Sequence, residues 1–172
     1  GSIAAYKACE LIRLIRKEKA NVQVMISESA EKFIGIATLA ALSNNEVLTN
    51  LFPKNPKGGM DHVNLSFELD AIIVVPATAN ILCKAANGVA DEIVSTTLSI
   101  CDVPILFAPA MNFRMWENEG TINAIKILKK RGHIIVPPEE GQLASLHTGK
   151  GRLANLNTIM NEIRKLFNQT LF

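Results

Sequence analysis

Three short, mainly apolar runs at residues 71–75, 105–108 and 133–136 each stop at proline, at Pro76, Pro109 and Pro137-Pro138. A run that is apolar without alternation needs burial on both faces, which a strand gains in a parallel sheet covered by helices on either side. Amphipathic helical patterns separate the runs. Residues 3–17 put Ala8, Leu11, Ile12 and Ile15 on one face, and further patterns span 81–86, 91–99, 119–131 (ended by Gly132) and 156–167. Residues 22–26 read as another strand. Ser27-Glu28-Ser29 suits the cap of a helix holding Phe33, and residues 38–42 continue helical. Asp61 suits the cap of a short helix. Residues 53–59 hold two Pro, two Lys and two Gly and read as a mobile loop, and the glycine-containing stretch 141–152 reads as irregular.

Strand and helix in alternation predict a three-layer α/β fold around a mostly parallel sheet. No internal repeat or linker divides residues 1–172, so one domain is expected. The chain opens on Gly1-Ser2-Ile3 and runs straight into a helix, where a sheet of this kind would first have a strand; the first strand is expected to be missing from the sequence as it stands.

Composition narrows the function. With 48% hydrophobic but only 5% aromatic residues, the core is aliphatic. A net charge of +2, from 18 basic and 16 acidic residues, gives no reason to expect nucleic acid or an anionic membrane as partner. No run approaches the roughly 20 apolar residues that span a bilayer, and no secretory signal is read at the start. Cys9, Cys83 and Cys101 lack metal-ligand spacing and read as small buried hydrophobes of a reducing, cytoplasmic compartment, with no metal expected.

The chemistry-bearing residues gather where strands end. In an open α/β sheet, ligands bind in the crevice beyond the carboxyl ends of the strands. Pro109-Ala110-Met111-Asn112-Phe113-Arg114-Met115-Trp116 follows one strand and sets an Asn amide among Met and Trp, which suits a small carboxylate or amide. Pro76-Ala77-Thr78-Ala79-Asn80 follows another, with a hydroxyl and an amide that serve either a flat hydrogen-bonding ligand or a helix start. Gly1-Ser2 opens a helix whose free amides and dipole favour a phosphate, with Ser27 and Ser29 as further donors; ordinary capping explains the same residues. His62 is either structural or a general acid–base near neutral pH. His133 reads as structural, and His147 can approach a ligand. Gly149-Lys150-Gly151-Arg152 is either a basic flap over an anionic substrate or an exposed turn. Asp91 and Glu92 fit helix capping. No Gly-x-Gly-x-x-Gly is present, which disfavours a nicotinamide dinucleotide.

Together the stretches at residues 1–7, 76–80, 86–91, 109–116 and 143–152, with the His62 segment, resemble the flavin-containing cysteine decarboxylase family. The resemblance covers nearly the whole chain, and residues 109–116 match every fixed position of the family's Pro-x-Met-Asn-x-x-Met-Trp pattern. It implies a flavodoxin-like, Rossmann-like fold binding FMN, with Gly1, Ser2, Ser27, Ser29, Thr78 and Asn80 holding the cofactor and Ala110 near it. His62 would be catalytic, Asn112 would bind the substrate carboxylate, Met115 would shape the pocket, and Lys150 and Arg152 would meet the substrate. The implied reaction is decarboxylation of 4'-phosphopantothenoylcysteine to 4'-phosphopantetheine in coenzyme A biosynthesis, by a homotrimer or dodecamer with sites at subunit contacts. Alternatives are oxidative decarboxylation of a C-terminal peptidyl cysteine, as in lantibiotic synthesis, and a non-catalytic FMN-binding regulatory subunit. One position departs from the family: Ser145 stands where its proton-donor Cys is expected, and a hydroxyl is a far weaker acid than a thiol of pKa about 8.5.

Overall fold

The computed structural model of the chain describes residues 1–52 and 61–169, without the side chains of residues 61, 62, 168 and 169. The 53–59 loop expectation lies outside the described residues. Strands β1 (Ile72–Ala77), β2 (Ile105–Pro109) and β3 (Ile134–Ile135) form a parallel sheet in that order, with Ile72 opposite Ile105 and Leu106 opposite Ile134. Every residue of β2 is buried, as its unbroken apolar run requires of a central strand.

Alternation along β2 sorts the core into two faces. Leu106 and Ala108 pack with Leu11 of α1 (Tyr6–Lys17) and with Ile159, Met160 and Ile163 of α9 (Leu156–Gln169). Ile105 and Phe107 pack with Leu82 and Ala86 of α5 (Ala79–Asn87), Leu98 of α6 (Ile93–Ile100), and Ala124 and Leu128 of α8 (Glu119–Lys130). Helices therefore cover both faces of the sheet, giving the three expected layers. A third, smaller cluster of Ile12, Ile26, Leu39 and Val47 joins α1 to α3 (Ile36–Ser43).

Local chemistry sets the element ends. Ser2 accepts from the Ala4 N–H at 3.3 Å and caps a 3-10 turn, Ile3–Ala5, that runs into α1. Thr78 caps α5, and α5 ends at Gly88 in the left-handed conformation (φ 68°). Glu92 and Ser95 form a reciprocal capping box on α6, as the capping expectation held.

Three expectations are corrected. Residues 22–26 do not form a continuous strand: they make one parallel bridge, Met25 with Leu48, because their other edge meets no neighbour among the described residues. Residues 141–152 are not irregular: β4 (Glu139–Gln142) and β5 (Thr148–Arg152) pair as an antiparallel hairpin. Ser27 makes no side-chain capping bond, and the helix it precedes, α2 (Glu28–Glu31), stops short of Phe33.

Candidate functional site

The carboxyl ends of β1, β2 and the 22–26 segment, with the amino end of the first helical turn, border one end of a cavity of about 700 Å³ that also runs back between residues 22–26 and β1. Gly1, Ser2, Ser27, Ser29, Thr78, Asn80, Ala110 and Met115 all line it. The whole set read as cofactor-binding is thus brought together, along with Met115 from the set read as substrate-binding. At Gly1 the backbone lies against Ser29: a Cβ there would fall 2.7 Å from the Ser29 Cβ and 2.8 Å from its carbonyl carbon, so only glycine permits this approach.

Two lining residues escaped the sequence reading. Lys84 follows Asn80 by four residues on α5, one helical turn that puts both on the same face. Its ammonium pairs with Asp91 at 2.6 Å, and this bond holds the Asp91 carboxyl below its ordinary pKa. Glu92 lines the cavity as well, although its carboxylate is committed to the Val94 and Ser95 amides. The i, i+4 spacing from Asn80 was the signal for Lys84.

Asn112 sits just outside this lining, at the start of the short helix α7 (Phe113–Trp116). Its Oδ1 accepts from the Arg114 N–H at 2.9 Å. That bond fixes which end of the amide is which: the acceptor is spent on the helix, and the Nδ2 donors remain for a ligand. The Met111 N–H donates to the Gly151 carbonyl of β5 at 2.9 Å, which holds the hairpin against the Asn112 turn.

The hairpin residues take different positions. Ser145, Leu146 and His147 lie exposed at its tip, where the Leu143 N–H donates to the His147 carbonyl at 2.9 Å. Lys150 is exposed, and Arg152 pairs with Glu139 at 2.9 Å, so its charge is engaged within the hairpin. Neither cation lines the cavity as described. The backbone of His62 lies in the first turn of α4 (Asp61–Ser66), and Leu65 and Leu69 at and beyond the end of that helix reach the cavity wall. His133 is a packing residue: it meets Phe107 edge to face, and burial holds its pKa below the usual value. Cys9, Cys83 and Cys101 are free and half-buried, and among the described residues no group of three or more potential metal ligands gathers.

The residues fit a flavin mononucleotide. A helix amino end with Ser2 and the adjacent serines offers amides and hydroxyls to one phosphate, while the Thr78–Asn80 turn and the aliphatic walls suit a flat heteroaromatic ring.

Comparison with known proteins agrees with this geometry. A family model described as Flavoprotein matches residues 1–168, and the chain belongs to that family. It is 40% identical over 167 residues to the coenzyme A biosynthesis bifunctional protein CoaBC of Bacillus subtilis, covering 97% of this chain but 41% of that one. It is also 40% identical over 167 residues to a probable phosphopantothenoylcysteine decarboxylase of Streptococcus mutans, covering 96% and 93% of the two chains. The chain thus spans about two fifths of the bifunctional relative's length and nearly all of the shorter one's. Among solved structures it resembles a cysteine-to-serine variant of a PPC decarboxylase complexed with pantothenoylaminoethenethiol, with a TM-score of 0.85 and 28% identity, over 98% of this chain and 94% of that one. The flavodoxin-like three-layer expectation holds.

Proposed function

We propose that this chain is an FMN-dependent decarboxylase of 4'-phosphopantothenoylcysteine, yielding 4'-phosphopantetheine in coenzyme A biosynthesis. The observation that carries the reading is the convergence of Gly1, Ser2, Ser27, Ser29, Thr78 and Asn80 on one cavity, beside an Asn112 amide whose donors are held ready. The names of the CoaBC and decarboxylase relatives support it.

Bound flavin supplies the two-electron oxidation that gives the substrate's cysteine carbon chain an electron sink for loss of the carboxylate. The chain does the rest. The amides at the start of the Ile3–Ala5 turn, with the Ser2, Ser27 and Ser29 hydroxyls, hold the cofactor phosphate. Asn112 donates Nδ2–H to the substrate carboxylate, and the Met111 and Met115 side chains keep water from it, which favours release of neutral CO2. His62, on the helix that borders the cavity, moves a proton to or from the substrate. Lys150 and Arg152 lie on the hairpin that would cover the substrate's phosphorylated arm. The working form is a homotrimer or dodecamer with sites at subunit contacts, in the cytoplasm; among the described residues, no helix is long and apolar enough to cross a membrane.

A second reading, decarboxylation of a peptidyl cysteine, is favoured by Ser145 alone. His62 and Asn112, retained together, argue against a purely regulatory flavin binder. The reading is tested by titrating the protein with FMN and with riboflavin, then comparing turnover of the parent and His62→Asn proteins. Tighter binding of FMN and a His62→Asn protein that stays yellow but inactive are expected. Equal turnover by the two proteins removes His62 from the mechanism.

A further inference from the structure

The substrate proposed above has two anionic ends, a carboxylate and a phosphate monoester, and Asn112 accounts for the first alone. The cations on the hairpin are already answered by carboxylates. Arg152 pairs with Glu139 at 2.9 Å, and Lys150 stands opposite Glu140 in the antiparallel register of β4 and β5. At the cavity wall, Lys84 is held by Asp91 at 2.6 Å. An approaching phosphate meets a neighbouring negative charge at each of these positions.

Arg114 differs. It is exposed on α7, two residues after Asn112, and no ion pair of the described residues includes it. Its guanidinium carbon lies over the Phe113 ring, 5.7 Å from the centroid, within the range of a cation–π contact. The ring is itself fixed by the hairpin: a Cβ on Gly149 would fall 2.9 Å from the Phe113 Cγ and 3.2 Å from its Cδ1. A long side chain with much rotamer freedom is thus given a platform, so less freedom is left to lose when it meets an anion.

Helical geometry gives the direction. Successive side chains of α7 are turned by about 100°. Phe113 meets the hairpin and Met115 lines the cavity, so Arg114, between them and exposed, projects over the rim where hairpin and cavity adjoin. A substrate held by its carboxylate at the Asn112 amide and covered by the hairpin leaves the cavity across this rim. The backbone of Arg114 already serves the same substrate, because its N–H donates to the Asn112 Oδ1 at 2.9 Å and leaves the amide donors free.

Resting on the function proposed above, we propose that Arg114 is a specificity-determining residue for the substrate's phosphate. Its guanidinium, set in place on Phe113, offers two parallel N–H donors to two phosphate oxygens and so selects the phosphorylated compound over the dephosphorylated one.

The test measures kcat and KM of the FMN-loaded parent, Arg114→Gln and Arg114→Lys proteins with 4'-phosphopantothenoylcysteine and with its dephosphorylated form. Both substitutions keep the backbone N–H at residue 114, so the cap on Asn112 is untouched. Arg114→Gln is expected to raise KM for the phosphorylated compound tenfold or more, with kcat and the KM for the dephosphorylated compound within twofold of the parent. Arg114→Lys, which keeps the charge but not the planar fork, should fall between the two. Equilibrium binding of 4'-phosphopantothenate, which has no cysteine carboxyl to lose, should weaken in the same order. A KM that rises equally for both compounds would show that Arg114 acts through the α7 turn and overturns the proposal, as does an unchanged KM ratio; in either case turnover by the parent leaves the decarboxylase reading standing. A parent protein that turns over neither compound overturns that reading and this proposal with it.

Discussion

The Gly151 carbonyl accepts from the Met111 N–H at 2.9 Å, and a Cβ built on Gly151 would fall 2.1 Å from the Met111 oxygen. A second contact of the same kind, 2.8 Å from a Gly149 Cβ to the Phe113 Cβ, lies two residues away. The hairpin is therefore keyed by two glycines onto the turn that carries Asn112, and the position of one governs the geometry of the other.

Gly151→Ala forces the hairpin off the Met111 turn, because the clash is with backbone and no side chain can move aside. Overpacking of this kind costs about 1–3 kcal/mol. A Tm lowered by several degrees, with turnover reduced at least tenfold, is expected by calorimetry and a decarboxylation assay. An unchanged Tm would show that the hairpin is not held there.

Asn112→Asp separates the two duties of that side chain. A carboxylate still accepts from the Arg114 N–H, so α7 keeps its cap, whereas the cap is lost in Asn112→Ala, at about 0.5–2 kcal/mol. Asp also removes the Nδ2 donors and sets a negative charge where the proposed function puts the substrate carboxylate. The Asp variant should keep its Tm while KM rises tenfold or more; an unchanged KM in the Asp variant beside a raised KM in the Ala variant would argue for a purely structural residue.

The hairpin's attachment responds to acid through Glu139. Its carboxylate accepts from the Asn155 N–H at 2.8 Å and pairs with Arg152 at 2.9 Å, and these bonds, the backbone one first, hold its pKa below the ordinary value. A depressed carboxyl pKa stabilises the fold above the unfolded value of about 4.3, and that contribution is lost as pH falls through the folded value. Urea titrations of parent and Glu139→Gln proteins should differ at pH 7 and converge only once the pH has fallen through the depressed folded value of Glu139. A difference that persists at the lowest pH would assign the effect to something other than ionisation.

Ser145 at the exposed hairpin tip lacks the acidity to protonate an enethiol quickly. The solved relative with pantothenoylaminoethenethiol is itself a cysteine-to-serine variant. The parent protein should reduce the oxidised, decarboxylated enethiol slowly, and Ser145→Cys should shift the products at a fixed time toward the saturated thiol, read by mass spectrometry as a gain of two hydrogens. Identical products from both proteins would place the proton donor elsewhere, with His147 the nearest exposed alternative.

What the sequence made legible follows from how strongly each element depends on its own residues. β2 and α8 were readable because burial on both faces, or on one helical stripe, writes itself into the apolar pattern. The hairpin was not, because Glu140, Gly141, Gln142, Gly149 and Lys150 have no alternating apolar face. Its strands are held by a backbone ladder and by glycine contacts with Met111 and Phe113. Residues 22–26 carry a strand pattern but gain only the Leu48 bridge, since strand structure also needs a partner on the other edge. Thr78 and Ser2, which line the cavity, are legible through capping chemistry. Lys84 shares a helix face with Asn80 by its i, i+4 spacing, but that this face of α5 meets the cavity emerges only on folding.

The most direct measurement is CO2 release from 4'-phosphopantothenoylcysteine by the FMN-loaded protein, set beside the dephosphorylated compound and a cysteine-terminated peptide. Release from the phosphorylated substrate, lost in Asn112→Ala, is expected, with the other two slower by tenfold or more. No release from the phosphorylated substrate by protein that carries a bound flavin would contradict the proposed function, and release from the peptide alone would establish the second reading in its place.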